Sequence, residues 1–427
     1  YMSLRLEQAV GPYIYDVKYL FYIENNNINF IEYCSVFSSS FSDAILLLSF
    51  ITGIICLELL GLKNLFKSIN NISLFLIFNF FVTIMVSTNN LLIMFVSFEF
   101  IFLPTMYFVY KLGYSKKIDK ANEILFYWTL FGSFLVLTSL GYIYYNFSSL
   151  NYLILSQKQF SKLESQVLLL IFLVGFGVKI PLAPFHFWLL KVHVESPTAF
   201  SIFLSGFLVK SALYCLFMLL NMFNTTQHYF ILTSWIFYSL IIGTIGLAKS
   251  TDIKKLIAWA TIQEMTFMLL FLVFKQMFLT HTCILFVILH GLMSTYMFYI
   301  VDMLQRRYKT RGLQYIKGLN IYLPRLTKHI WFLILLFSGF PLTAKFFIEW
   351  SLISLMVETQ FVTLLYVIVF VNFFGAIFFC RIMFMIIYGI PEEKEELEFV
   401  ETQKKEYGIL NLLVLMILIL IWLLYIF

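Results

Sequence analysis

Charge is what this chain has least of. Asp, Glu, Lys and Arg make up only 12% of its 427 residues, against about 25% in a soluble globular protein. Hydrophobic residues make up 61% and mean hydropathy is +0.90, more apolar surface than a soluble fold could bury. Cysteine is also sparse. Cys34, Cys56, Cys215, Cys283 and Cys380 are scattered, with no CxxC and no Cys/His pair at metal-ligand spacing, so no iron–sulfur or zinc site is expected. There is no GxGxxG and no GxxxxGKS/T, so no nucleotide and no cofactor is expected on this chain. The first 35 residues carry Asp, Glu and Asn and lack a basic start followed by an apolar core, so a cleavable leader is not expected either. The +6 net charge does not point to a nucleic-acid partner, because its distribution has another explanation.

What is present is membrane-length apolar sequence. Phe (51) and Tyr (26) are frequent, alongside many Ile and Asn, a bias that points to an AT-rich organelle gene. Runs of about 20 apolar residues read as membrane helices, and twelve are predicted: 41–62, 72–88, 91–110, 123–145, 166–189, 198–222, 229–248, 255–274, 277–304, 329–357, 361–389 and 407–427. Residues 1–40 are too polar to span. The loops after the odd-numbered helices hold 20 of the 29 Lys+Arg, while the loops on the other side hold only Lys158, Lys162 and Lys275. The positive-inside rule then turns the basic side toward the matrix or cytoplasm.

A weak internal repeat is visible. Lys179-Ile-Pro181-Leu-Ala-Pro-Phe-His-Phe-Trp188 and Gly339-Phe-Pro341-Leu-Thr-Ala-Lys-Phe-Phe-Ile-Glu349-Trp350 both place Pro-Leu-small in mid-span, followed by aromatics and a Trp. Proline removes a backbone hydrogen bond and breaks a helix. Two interrupted helices at corresponding positions are the signature of an inverted repeat with sites near the bilayer midplane. The expected fold is an all-α polytopic membrane protein of about twelve transmembrane helices. Its divisions are a polar N-terminal segment (1–40), a leading helix (41–71), two half-channel repeats (72–222 and 229–389), and a linker with a C-terminal helix (390–427).

Several charges stand inside these runs. A charge at bilayer depth costs from about 2.5 to well over 10 kcal/mol, depending on how it is measured, so a chain that places several there has a use for them. Lys179 precedes the break at Pro181. Burial disfavours a charged amine and a nearby carboxylate favours it, so a Lys beside a movable Glu can be switched. Glu99, between Phe98 and Phe100, is its natural partner. Lys210 is mid-helix, with flanks too long and apolar for snorkelling. Glu264, His290 and Glu349 are the second-half candidates. For each, the alternative is a structural role: an ion pair between helices, a satisfied core histidine, or pairing of Glu349 with Lys345 one turn earlier. His186, His193 and Glu195 either feed protons inward or belong to a solvated loop. Snorkelling accounts for Arg381.

Lys179 through Trp188, continuing Leu-Leu-Lys-Val-His193-Val-Glu-Ser-Pro197 and then Leu-Ser-Gly-Phe-Leu-Val-Lys210, resembles the most characteristic stretch of the antiporter-like subunits of respiratory complex I. Thr251-Asp-Ile-Lys-Lys-Leu-Ile-Ala-Trp-Ala, the His290-Gly-Leu run and the Pro341 to Glu349 run follow in that family's order. The resemblance covers about residues 85–390. His193-Val-Glu-Ser-Pro197 and a Glu at 349 sort the chain with one subunit class within the family.

The resemblance implies a non-redox, proton-translocating subunit of NADH:ubiquinone reductase in the mitochondrial inner membrane. Its basic loops would face the matrix and it would hold no cofactor. Its partners would be lipid and other membrane-arm subunits, neighbouring antiporter-like ones included. Glu99 and Lys179 would be the first half-channel's pair, Lys210 the connecting lysine, His290 a member of the central axis and Glu349 the terminal residue. An alternative is a sodium/proton antiporter subunit of the Mrp type, and a third reading is a structural spacer. Three departures stand out. The family usually has fourteen helices, so the first two are either absent or supplied by a separate polypeptide. Gln263-Glu264-Met265 stands where the family usually has Ser-His-Met. Leu190 replaces a usual proline. Together they imply a divergent source, such as a protist.

Overall fold

The computed structural model describes residues 13–15, 36–62, 69–112, 117–223, 229–274, 277–358, 362–390 and 404–426. With no water at bilayer depth to satisfy main-chain groups, apolar spans must close their own hydrogen bonds as helices, and helix dominates. The expectation for residues 1–40 falls largely outside the described residues. Within it, β1 (Tyr13–Tyr15) pairs antiparallel with β2 (Val36–Ser38), which the sequence reading did not anticipate.

The helices follow in order: α1 (Ser40–Leu62), α2 (Ile69–Ser87), α3 (Leu91–Leu112), α4 (Ile118–Phe147), the short α5 (Tyr152–Ser156), α6 (Lys162–Lys179), α7 (Phe187–Glu195), α8 (Thr198–Phe203), a π turn (Leu204–Leu208) and α9 (Val209–Leu220). Then come α10 (Tyr229–Ala248), α11 (Ile253–Val273), α12 (Met277–Tyr308), the short α13 (Leu319–Tyr322), α14 (Pro324–Phe337), α15 (Ala344–Glu358), α16 (Val362–Tyr388) and α17 (Lys404–Ile426). Seven of the described stretches are long and apolar enough to cross a membrane, and α2, α10 and α17 add shorter apolar lengths. The two remaining crossings, 162–195 and 324–358, are the interrupted ones.

Both breaks fall where the prolines put them. α6 ends at Lys179 and helix resumes at Phe187, while α14 ends at Phe337 and helix resumes at Ala344. Several boundaries differ from the apolar runs. α4 begins five residues early, with Asp119 in its first turn. α6 begins at a capping box of Ser161 and Glu164, which satisfies two otherwise orphaned main-chain N–H groups. α14 begins at Pro324, a residue suited to a first helical turn. In each case the helix starts before its apolar stretch does.

The run from Thr198 to Leu220 and α11 have 94% of their apolar windows buried, whereas α16 has 28% and α4 33%. The former pair therefore forms the interior and the latter the periphery. Small residues allow close approach where helices cross. A Cβ on Gly132 of α4 would stand 2.5 Å from the main-chain oxygen of Gly175 on α6.

The loops separate into two ends. At one, Asn90 bridges to Asn151, and the Tyr152 N–H donates to the Asn89 carbonyl at 2.9 Å. At the other, Asp252 bridges to Gly312, the Ile253 N–H donates to the Arg311 carbonyl at 3.1 Å, and Lys254 Nζ donates to the Ser196 carbonyl at 2.8 Å. The second end brings together three of the connections expected to be basic, those after the fifth, seventh and ninth predicted helices.

Candidate functional site

Lys179, the last residue of α6, is buried at the first break. Its ammonium donates to Glu99 Oε1 from α3 and lies 4.2 and 4.6 Å from the ring centroids of Phe98 and Phe102. The pair joins an interrupted helix to a continuous one, and the rings supply cation–π attraction in a site with few other polar groups. Glu99 is 30% exposed, so the pair sits at the edge of the helix packing rather than at its centre.

The break stays ordered because its main-chain groups find side-chain partners. The indole N–H of Trp188 donates to the Val178 carbonyl at 2.7 Å, that of Trp235 to the Ala183 carbonyl at 2.6 Å, and the Ala183 N–H to Ser239 Oγ at 3.0 Å. Non-helical backbone at membrane depth is tolerated only with such substitutes. The Ala183–Pro184 peptide bond is cis.

Lys210 is fully buried one residue into α9, beyond the π turn, and its ammonium donates to the carbonyl of Ser205 within that turn. Single π turns inside helices are frequent at functional sites. Among the described residues Lys210 makes no ion pair, but Glu264 of α11 lies within Coulomb range. His290 of α12 is buried, its Nδ1 has no hydrogen-bond partner, and it lies within Coulomb range of both Lys210 and Lys345.

The second break carries another ammonium. Lys345, second residue of α15, donates to Glu264 Oε1 at 2.5 Å and to the Phe337 carbonyl at 2.7 Å, and stands 3.4 Å from Glu349 Oε1. The expected Lys345–Glu349 approach is present, yet the nearer partner is Glu264, 81 positions earlier. Lys345 was missing from the sequence-based candidates. The signal was there: like Lys179, it stands beside a mid-span proline. Glu99 and Lys179 thus pair at the first break and Glu264 and Glu349 gather on Lys345 at the second, with Lys210 and His290 within Coulomb range of the second cluster.

His186 and His193 do not belong to a solvated loop. Both are buried and without hydrogen-bond partners. His186 packs on Phe187 and Trp259, and His193 stacks on Phe298. His193 also lies within Coulomb range of Lys254 and Lys210. A cavity of about 660 Å³ at the basic end reaches His186 and is lined by Lys191, Glu195, Lys249, Lys255 and Trp259. Among the described residues, Asp302, Lys254 and Glu406 are three more buried charges that escaped the sequence reading. Asp302 accepts from the Thr198 hydroxyl and pairs with Arg306 at 2.9 Å, and Lys254 takes the Ser196 carbonyl. Ammonium and carboxylate groups in hydrogen-bond contact at helix breaks can hold and exchange protons when neighbouring charge changes.

Buried ion pairs at two broken helices in a polytopic bundle define a charge-handling membrane protein built on an internal repeat. Residues 88–375 match the NADH:quinone oxidoreductase/Mrp antiporter transmembrane family, and the chain belongs to that family. It is 31% identical over 406 residues to NADH-ubiquinone oxidoreductase chain 4 of Paramecium tetraurelia, covering 94% of this chain and 84% of the relative. To the protein of the same name from Chondrus crispus it is 33% identical, over 64% of this chain and 56% of the relative. Chain 4 is also the subunit class that His193-Val-Glu-Ser-Pro197 and Glu349 indicated. Among solved structures, a chain of respiratory complex I from Thermus thermophilus shares the fold with a TM-score of 0.79 at 18% identity, over 90% of this chain and 81% of that one. A chain of the archaeal membrane-bound sulfane sulfur reductase shares it with a TM-score of 0.80 at 20% identity, over 98% and 69%.

Proposed function

We propose that this chain is a proton-translocating membrane-arm subunit of respiratory complex I, NADH:ubiquinone oxidoreductase, in the mitochondrial inner membrane with its basic loops toward the matrix. Quinone reduction takes place on other subunits and is coupled to this chain through charge shifts, so the chain belongs to an oxidoreductase without carrying a redox group. Its partners are other membrane-arm subunits, neighbouring antiporter-like ones among them. Glu99, Lys179, Lys210, Glu264, His290 and Glu349 handle the protons.

The observation that carries this reading is the Lys179–Glu99 contact at the end of a broken helix. Separating the two leaves an ammonium among phenyl rings without its counter-charge, which favours passing a proton onward toward Lys210. Re-pairing favours reloading. An interrupted helix supplies the movable element that such a step needs. The likeness to a chain of the Dietzia Mrp complex, 18% identical at a TM-score of 0.76, concerns the fold alone, and the family takes in both kinds of protein, while the 31% and 33% identical relatives favour the complex I reading.

The test is Lys179→Met in the assembled complex. Protons translocated per NADH oxidised are measured in sealed vesicles, with assembly checked on native gels. Loss of this chain's share of the protons is expected. An unchanged ratio would refute the reading, and sodium-dependent proton flux without an electron donor would favour the antiporter.

A further inference from the structure

The internal repeat extends to the ion pairs themselves. Lys179 and Glu99 are 80 residues apart, and Lys345 and Glu264 are 81 apart. In each half the lysine stands at a helix break, as the last residue of α6 or the second of α15, and the glutamate comes from an unbroken helix, α3 or α11. In each half the ammonium lies over a phenyl ring, 4.2 Å from Phe98 or 4.3 Å from Phe337. The second half therefore shares with the first a lysine at the break, a carboxylate from an unbroken helix and a phenyl ring under the ammonium, with the lysine before the break in one and after it in the other.

It differs by one group. With Glu99 ionised and Lys179 protonated, the first pair has no net charge. The second set has Glu349 as well, so two carboxylates face one ammonium and the set carries one negative charge until a single proton is added. A buried net charge is costly, and there are atoms able to take the proton. Glu264 Oε2 has no hydrogen-bond partner among the described residues, and Glu349 Oε1 meets the Lys345 ammonium only at 3.4 Å. Glu349 also has room at the break: Gly339 adopts the left-handed φ of +63°, and a Cβ there would stand 2.9 Å from Glu349 Oε2. Glu264 is fully buried, whereas Glu349 is 13% exposed.

We propose that Lys345, held between Glu264 and Glu349, is the proton-loading lysine of the second half and the counterpart of Lys179, with Glu264 in the role of Glu99. The proposal rests on the proton-translocation reading above. Loading forms one O–H bond on a carboxylate and neutralises the set. Passage within it breaks one N–H bond of Lys345 and forms one O–H bond on Glu264 or Glu349, leaving the total charge unchanged. Release breaks the O–H bond on Glu349, the more exposed of the two. No electron changes hands.

The experiment compares Glu264→Gln, Glu264→Gln/Lys345→Met and Lys179→Met in the assembled complex, reading protons translocated per NADH oxidised. Glu264→Gln is nearly isosteric and leaves a neutral Lys345–Glu349 pair, so it is the variant best able to assemble. Each of the first two is expected to lose as many protons per NADH as Lys179→Met. The swap Glu264→Lys/Lys345→Glu, which keeps the same charges, is expected to recover part of that loss. If Glu264→Gln pumps at the parental ratio while Lys179→Met does not, the ion pair is structural and this proposal fails while the functional reading stands. If Lys179→Met also pumps normally, the functional reading itself has failed.

Discussion

Lys210 turns its ammonium onto the carbonyl of Ser205, inside the π turn that precedes α9, and meets no carboxylate in an ion pair among the described residues. A buried cation satisfied only by its own helix differs from Lys179 and Lys345, which are each held by an acid from another helix. Removing it leaves no partner charge stranded.

Lys210→Met should therefore separate function from stability. Replacing a buried ion by an apolar side chain of similar length removes its desolvation cost and strands no counter-charge, so assembly should stay close to parental on native gels. Protons translocated per NADH should fall as in Lys179→Met. A structural lysine would give the reverse, with less assembled complex and an unchanged proton ratio in what remains.

Trp235→Phe tests how the first break is held. It keeps an aromatic ring against Phe185 but removes the indole N–H that serves the Ala183 carbonyl at 2.6 Å. The Ala183 carbonyl then keeps only the longer contact from Ser239 Oγ at 3.5 Å, and an under-satisfied buried carbonyl costs about 1–3 kcal/mol. The midpoint of thermal inactivation should drop, and combining the change with Ser239→Ala should cost more than the sum, because only the double change leaves the Ala183 carbonyl with neither donor. Additive effects would show that the two contacts act independently.

The fold was legible because membrane spans write themselves as long apolar runs and the alternating basic loops check their number. The breaks at Pro181 and Pro341 were legible for the same reason, since proline is incompatible with a continuous helix. The Lys179–Glu99 partnership could be anticipated because few charges were available to pair in the first half. The second half offered one lysine and two acids, and the i to i+4 spacing of Lys345 and Glu349 drew attention away from Glu264, which only tertiary packing brings closer. The π turn had no signature beyond Ser205 and Gly206. The burial of His186 and His193 depends on how α7 tucks against α11 and α12, a tertiary contact that the local sequence does not reveal.

The C-terminal helix offers the last test. Glu406, in the first turn of α17, is buried and accepts from Arg306 at 2.8 Å and Arg307 at 2.9 Å on α12. Its carboxylate also sits favourably at a helix N-terminus. Glu406→Gln keeps the shape and removes the charge, leaving two guanidinium groups with reduced compensation. Breaking a buried ion pair costs about 3–5 kcal/mol. The lower end applies here, because Arg306 is 34% exposed and retains Asp302 at 2.9 Å, and Arg307 retains the Met303 carbonyl at 3.0 Å. Assembled complex should become more sensitive to heat and detergent. Protons translocated per NADH in the surviving complex should not change, because this cluster lies at the basic end, away from both helix breaks. Adding Arg307→Met should restore part of the lost stability by removing one of the stranded charges. A variant as stable as the parent would show that α17 is held by its apolar face alone.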